Sequence, residues 1–182
     1  MAHLRRLYAA SEDPWQHRTS AYEAAKYRAT LEAIGPGPFR HALEIGCGIG
    51  ALSARLAPRC QRLTAMDCIP AAVARARASL ARLDHAEVLL GSAPQDLPPI
   101  RPDLILLSEV LYFLTPDEID RLAAWIARHG AGAVIAVNWT GPTEEELTGE
   151  TAVALLHARL PIRQTRHFRR FRIDWFTPRP QG

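Results

Sequence analysis

The sequence predicts a doubly wound α/β domain on a mostly parallel sheet. Three observations carry this. Short apolar runs alternate with helix-forming stretches from His41 to Val137. A glycine-rich turn joins the first run to the first of those helices. The run Asp103-Leu104-Ile105-Leu106-Leu107 is apolar after its first residue, as befits a central strand covered by helices on both faces.

The elements follow in chain order. Ser11-Glu12-Asp13-Pro14-Trp15 reads as a turn, and Thr19 to Ile34 as a leader helix capped by Ser20 or Thr19. Gly35-Pro36-Gly37-Pro38 stops that helix. His41 to Ile45 is the first strand, and the Ala/Leu/Arg-rich stretch to Ala57 is a helix. Gln61 to Met66 makes the second strand and ends at Asp67. Pro70 opens the next helix, where a proline in the first turn is well tolerated. Glu87 to Leu90 forms the third strand and Asp103 to Leu107 the fourth. Thr115 and Glu118 are spaced as a capping box for a helix running to about His129. Ala133 to Val137 is the fifth strand, with a loop expected from Asn138 to Pro142. A helix spans Thr151 to Arg159, and the tail from Ile162 to Phe176 reads as two short strands or a hairpin. Seven strands result. Residues 1–35 read as a helical lid segment and 36–182 as the sheet domain, together one structural domain.

Composition narrows the class. With 48% hydrophobic and 23% charged residues the chain is of ordinary globular type. No apolar run nears the ~18 residues of a membrane span, and the N-terminus has no signal-peptide core, so a cytoplasmic location is expected. Cys47, Cys60 and Cys68 have no metal-binding spacing, and no metal is expected. The net charge is +3, and Lys26 is the single lysine. The densest basic cluster, Arg163, Arg166, Arg169, Arg170 and Arg172, falls on the strand-like tail. It reads as a solvated edge or as an anion-binding surface.

The chemistry centres on Glu44-Ile45-Gly46-Cys47-Gly48-Ile49-Gly50-Ala51. Glycine in such a turn lets a ligand approach the backbone. The run satisfies the loose dinucleotide pattern G-x-G-x-x-G/A, and Asp67 stands where an acid takes ribose hydroxyls. A nicotinamide-binding oxidoreductase and a non-catalytic binding module therefore remain alternatives on the turn alone.

More of the chain fits another pattern. Glu44 followed by Gly46, Gly48 and Gly50, Asp67 after the second strand, and Gly91-Ser92-Ala93 after the third resemble class I S-adenosylmethionine (SAM)-dependent methyltransferases, a Rossmann-like family. Asp13-Pro14-Trp15, Arg18 to Glu23, Lys26-Tyr27 and Leu107 to Leu114 are similar to the NodS-like group within it. That resemblance covers roughly residues 11–150 and implies a transferase with SAM as methyl donor. The group's named members methylate the free amine of a de-N-acetylated chitooligosaccharide, so a small-molecule or oligosaccharide amine is the implied acceptor. Cofactor contacts are implied for Glu44, Gly46, Cys47, Gly48, Gly50, Asp67, Cys68, Ser92, Ala93, Ser108, Glu109, Tyr22 and Lys26. Many relatives carry an acid where Ser92 stands.

For catalysis, Glu109 at the end of the fourth strand is placed to hold an amine and take its proton. A structural role capping the next turn is its alternative. Tyr112 would orient the acceptor or pack on the cofactor. Trp139, Asp13 and Trp15 are expected at the acceptor mouth, where an aromatic face suits a sugar or a cation. His17 and His129 show no partner pattern and read as surface or satisfied-core residues. No N/D-P-P-Y/F-type motif follows the fourth strand, which argues against nucleic acid as acceptor.

Overall fold

The computed structural model describes residues 6–8 and 10–178. Its core is a seven-stranded sheet in the order β3-β2-β1-β4-β5-β7-β6. The strands are β1 (Ala42–Ile45), β2 (Leu63–Asp67), β3 (Ala86–Leu90), β4 (Leu104–Ser108), β5 (Ala133–Trp139), β6 (Ile162–His167) and β7 (Phe171–Phe176). Strands β1 to β5 pair in parallel, whereas β7 runs antiparallel between β5 and β6. The helices are α1 (Ala21–Ile34), α2 (Ser53–Leu56), α3 (Pro70–Leu80), α4 (Pro116–His129) and α5 (Gly149–His157). Among the described residues no helix is long and apolar enough to cross a membrane.

Alternation along the strands divides the core between two faces. Leu43, Ile45, Ile105, Leu107, Val134 and Ala136 pack towards α4 and α5. Ala42, Leu104, Leu106, Ile135 and Val137 pack towards α1 and α2. Helix α4 shows why its sequence folds there. Ile119, Leu122, Ala123 and Ile126 form one buried stripe, and Thr115 and Glu118 close the expected capping box.

Helix α1 is less regular. Its buried face comprises Glu23, Lys26, Tyr27, Thr30 and Ile34, polar at the start and apolar at the end. The apolar end rests on the sheet; the polar end looks towards the carboxyl ends of the strands. Ser20, one of the two expected caps, caps it, and the helix begins at Ala21.

Strand β5 is longer than expected. Asn138 and Trp139 pair with Arg172 and Phe171 of β7, so they belong to the sheet and not to the following loop. The partners lie 34 and 32 positions further on, and local residue preference carries no trace of them. Helix α2, by contrast, is shorter than expected, with a 3-10 turn over Ala57–Arg59 completing the segment. The tail is a hairpin.

Candidate functional site

A cavity of about 910 Å³ opens at the carboxyl ends of the parallel strands. That edge is where doubly wound sheets bind ligands, because the connecting loops diverge there. Its floor is the turn after β1. Gly46 has φ of +85°, and a Cβ there would lie 2.5 Å from the Ser108 carbonyl oxygen, so only glycine fits beside β4. Gly48 donates its amide to the Asp67 carboxylate at 2.9 Å, and Ile69 donates to the same side chain at 2.9 Å. Burial raises the Asp67 carboxyl above its ordinary value, with these amides working the other way.

Glu44 sits on β1 beneath this floor and is fully buried. Ser53 donates to its Oε2 at 2.5 Å, but Oε1 has no partner among the described residues. Burial pushes its carboxyl up to about 7. A buried carboxylate oxygen beside the cavity with nothing bonded to it is a place for a ligand's N–H donor.

The wall comes from α1 and the end of β4. Lys26 Nζ lies 2.9 Å from Glu23 Oε1 and 2.8 Å from Glu109 Oε1, with Lys26 only 5% exposed. Glu23 also meets His17 Nδ1 at 3.1 Å, and the Tyr27 hydroxyl lies 2.7 Å from that nitrogen. On the far side Tyr112 donates to Glu109 Oε2 at 3.4 Å. Burial works against the charge on Lys26, yet the two carboxylates hold its pKa above the ordinary value. Burial also opposes ionisation of Glu23, but the His17 hydrogen bond and Lys26 outweigh it and its pKa lies below the ordinary value. Glu109 itself has φ of +53°, a conformation that costs a non-glycine residue of order 1–3 kcal/mol and that clusters at functional sites. Its amide bonded to the Val137 carbonyl and its carboxylate bonded to Lys26 hold it there.

The cavity brings together most of the expected residues. Glu44, Gly46, Cys47, Gly48, Asp67, Cys68, Ser92, Ala93, Ser108, Glu109, Tyr112, Tyr22, Lys26, Trp15 and Trp139 all line it. Two do not. Gly50 has its back to α3, where a Cβ would lie 3.0 Å from the Ala76 Cα, so it serves helix packing. Asp13 turns inward on its own loop, accepting from the amides of His17 and Arg18 at 2.8 and 3.0 Å.

Three further wall residues lie outside the set expected from the sequence. His17 reads as an unremarkable histidine, because its partners Glu23 and Tyr27 belong to a helix whose orientation only the fold sets. Tyr8 lines the cavity beside Gly48. Asp96 also lines it and accepts from the Ser92 amide at 2.9 Å. Asp96 thus places a carboxylate at this turn, four residues downstream of position 92. A carboxylate so soon after the glycine of that turn is the signal that could have found it.

Fold and site together define a class: this is the architecture of the SAM-dependent methyltransferases. The solved N-methyltransferase NodS from Bradyrhizobium japonicum WM9, in complex with S-adenosyl-L-homocysteine, matches with a TM-score of 0.84 over 96% of both chains at 24% identity. The family model for Nodulation protein S (NodS) matches residues 2–129, and the chain belongs to the NodS family. Nodulation protein S of Sinorhizobium fredii NGR234 is 37% identical over 113 residues, 62% of this chain and 52% of that protein. Nodulation protein S of Rhizobium tropici is 36% identical over 106 residues, 58% of this chain and 44% of that one. The chain thus spans about half the length of the curated relatives it matches.

Proposed function

We propose that this chain is a SAM-dependent N-methyltransferase whose acceptor is the amine of a small molecule or oligosaccharide. The observation that carries the reading is Glu109, held in a strained conformation by buried Lys26 at the carboxyl edge of β4, above the glycine turn. The residues present fit SAM. Asp67 is available to ribose hydroxyls, the unpartnered Glu44 Oε1 to the ammonium group, and Asp96 with Ser92 and Ala93 to the adenine. Bound SAM supplies a methyl group activated by its sulfonium charge.

The protein's work is then placement, proton handling and exclusion of water. Glu109 accepts a proton from the acceptor's ammonium group and leaves the nitrogen lone pair free. Lys26 fixes one oxygen of Glu109, so the other oxygen, shared with Tyr112, faces the acceptor. The bound donor would give up the methyl carbon to the acceptor's nitrogen and keep the C–S bonding pair on its sulfur. The segment from Trp15 through α1 acts as the lid: Trp15 and His17 close one side, and Tyr22 and Lys26 the other. Tyr22 and Trp139 meet edge to face at 6.1 Å and offer aromatic surface to the acceptor.

Labelled SAM with a panel of amino sugars, de-acetylated oligosaccharides and simple amines tests the reading. Methyl transfer to an amine is expected, with calorimetric binding of SAM and its demethylated product and none of NAD. Glu109→Gln is expected to lower kcat by about 10²-fold or more, with SAM affinity changed only a few-fold. Transfer to hydroxyl acceptors alone, or an unaffected variant, overturns it.

A further inference from the structure

The β6–β7 hairpin carries an arrangement that amine methylation leaves unused. Because β7 runs antiparallel to β5, its first residue, Phe171, pairs with Trp139 at the end of β5. The turn joining β6 to β7, together with His167, Arg169 and Arg170, therefore lies at the same carboxyl edge as the cavity mouth. Contacts confirm the placement. Thr140 donates its amide to the Arg170 carbonyl at 3.0 Å, and the Arg170 guanidinium lies 5.8 Å from the centre of the Trp139 ring. Tyr22 touches both Trp139 and Phe171, each at 6.1 Å. Its hydroxyl is buried in the cavity wall without a hydrogen-bond partner among the described residues.

Charge is divided sharply across this rim. Eight carboxylates line the cavity against one lysine, so the interior favours a cation. The hairpin reverses the sign. Removing its five arginines, Arg163, Arg166, Arg169, Arg170 and Arg172, would leave the chain with more acidic than basic residues. Arg159 and Arg172 are taken up by Asp120 and Asp174, whereas Arg169 and Arg170 are exposed and form no ion pair within 4 Å among the described residues.

We propose that Arg169 and Arg170, with His167, form an anion subsite at the rim, and that the acceptor is an amine carried on a molecule that also bears a phosphate or carboxylate. This rests on the amine-methylation reading above and narrows its substrate class. Successive contacts of 2.8, 5.4, 6.1 and 5.8 Å lead from Glu109 through Lys26, Tyr22 and Trp139 to Arg170. One elongated small molecule can therefore place its nitrogen at Glu109 and its anion at the arginines. The Trp139 face holds the Arg170 guanidinium in place and screens one side of it from water, which strengthens its pull on an anion.

Matched acceptors test this, using the full chain. Methyl transfer is compared between glucosamine and glucosamine 6-phosphate, and between a free ω-amino acid and its neutral amide, at low and high salt. The anionic member of each pair is expected to have the higher kcat/KM, by about tenfold in low salt, with the advantage shrinking as salt screens it. In Arg169→Gln/Arg170→Gln that ratio falls about tenfold, through KM, while Arg170→Lys retains part of it. Arg163→Gln, which removes the same charge at the other end of the hairpin, leaves the ratio and the activity as they were. Thermal melts confirm that each variant is folded. A preference for the neutral acceptors, or an unchanged ratio in the double variant, overturns the anion subsite while leaving amine methylation standing. Absence of transfer to every amine, charged or neutral, fails the parent reading instead.

Discussion

Two residues concentrate the chemistry, and each has a measurable consequence. Glu44 is an acid that the fold keeps near neutrality, its carboxyl raised by burial to about 7 from an ordinary 4.5. The folded protein holds this proton where the unfolded chain has released it. Stability therefore falls as pH rises from about 4.5 towards 7, by about 3 kcal/mol at one residue. Glu44→Gln keeps the Ser53 contact without the ionisation, so in urea titrations of the ligand-free protein the loss between pH 5 and pH 8 is expected to shrink by roughly that amount. An unchanged pH dependence would place the titration elsewhere. Lys26 is the opposite case, a charge stabilised by two partners. Its raised pKa contributes stability that is complete below 10.5 and lost as pH climbs through the higher folded value. The lowered pKa of Glu23 contributes stability present above 4.5 and lost as pH falls through the lower folded value. Lys26→Met leaves Glu23 and Glu109 facing each other without the cation they share, and chemical denaturation should show a loss of about 3 kcal/mol or more at pH 7. Glu44 was visible in the sequence from its place before the glycines. The burial of Lys26 was not, since a lysine on a helix is ordinarily solvated.

Single elements differ in how much of themselves they declare. Helix α4 announces its start through Thr115 and Glu118, whose reciprocal bonds are all within a few residues. Thr115→Ala removes the cap to the Glu118 amide and is expected to cost about 1 kcal/mol in a thermal melt, while methyl transfer is unchanged. Helix α1 declares its ends but not its buried side. Its buried face mixes Glu23, Lys26 and Thr30 with Tyr27 and Ile34, so no hydrophobic stripe marks the side that faces the protein. Strand β5 falls between these cases: Ala133 to Val137 is legible as an apolar run, but Asn138 and Trp139 become strand only through β7. That extension fixes the Trp139 ring against Arg170 and Tyr22 and so shapes the mouth of the cavity.

At the scale of the whole molecule the charges are sorted by place and not by sequence distance. The eight carboxylates of the cavity come from segments as far apart as α1, β1 and the loop after β5, and together they draw cations inward. Association of the cationic SAM is expected to slow several-fold between low salt and about 0.5 M salt in stopped-flow measurements, with dissociation little changed. An on-rate indifferent to salt would remove steering from the account. The sequence by itself determined the alternating strands and helices, the glycine turn with Glu44 and Asp67, and the kinship that these and Leu107 to Leu114 carry. Those signals are local, written in spacings of a few residues that any neighbour-to-neighbour reading recovers. Only the tertiary structure decided that His17, Glu23, Lys26, Glu109 and Tyr112 form one hydrogen-bonded wall, that Asp96 places a carboxylate at the Ser92 turn, and that Gly50 and Asp13 face away from the cavity. The physical reason is that hydrogen bonds and ion pairs depend on distances of about 3 Å, and for residues 26 and 109 that distance exists only after the sheet has brought α1 over the end of β4.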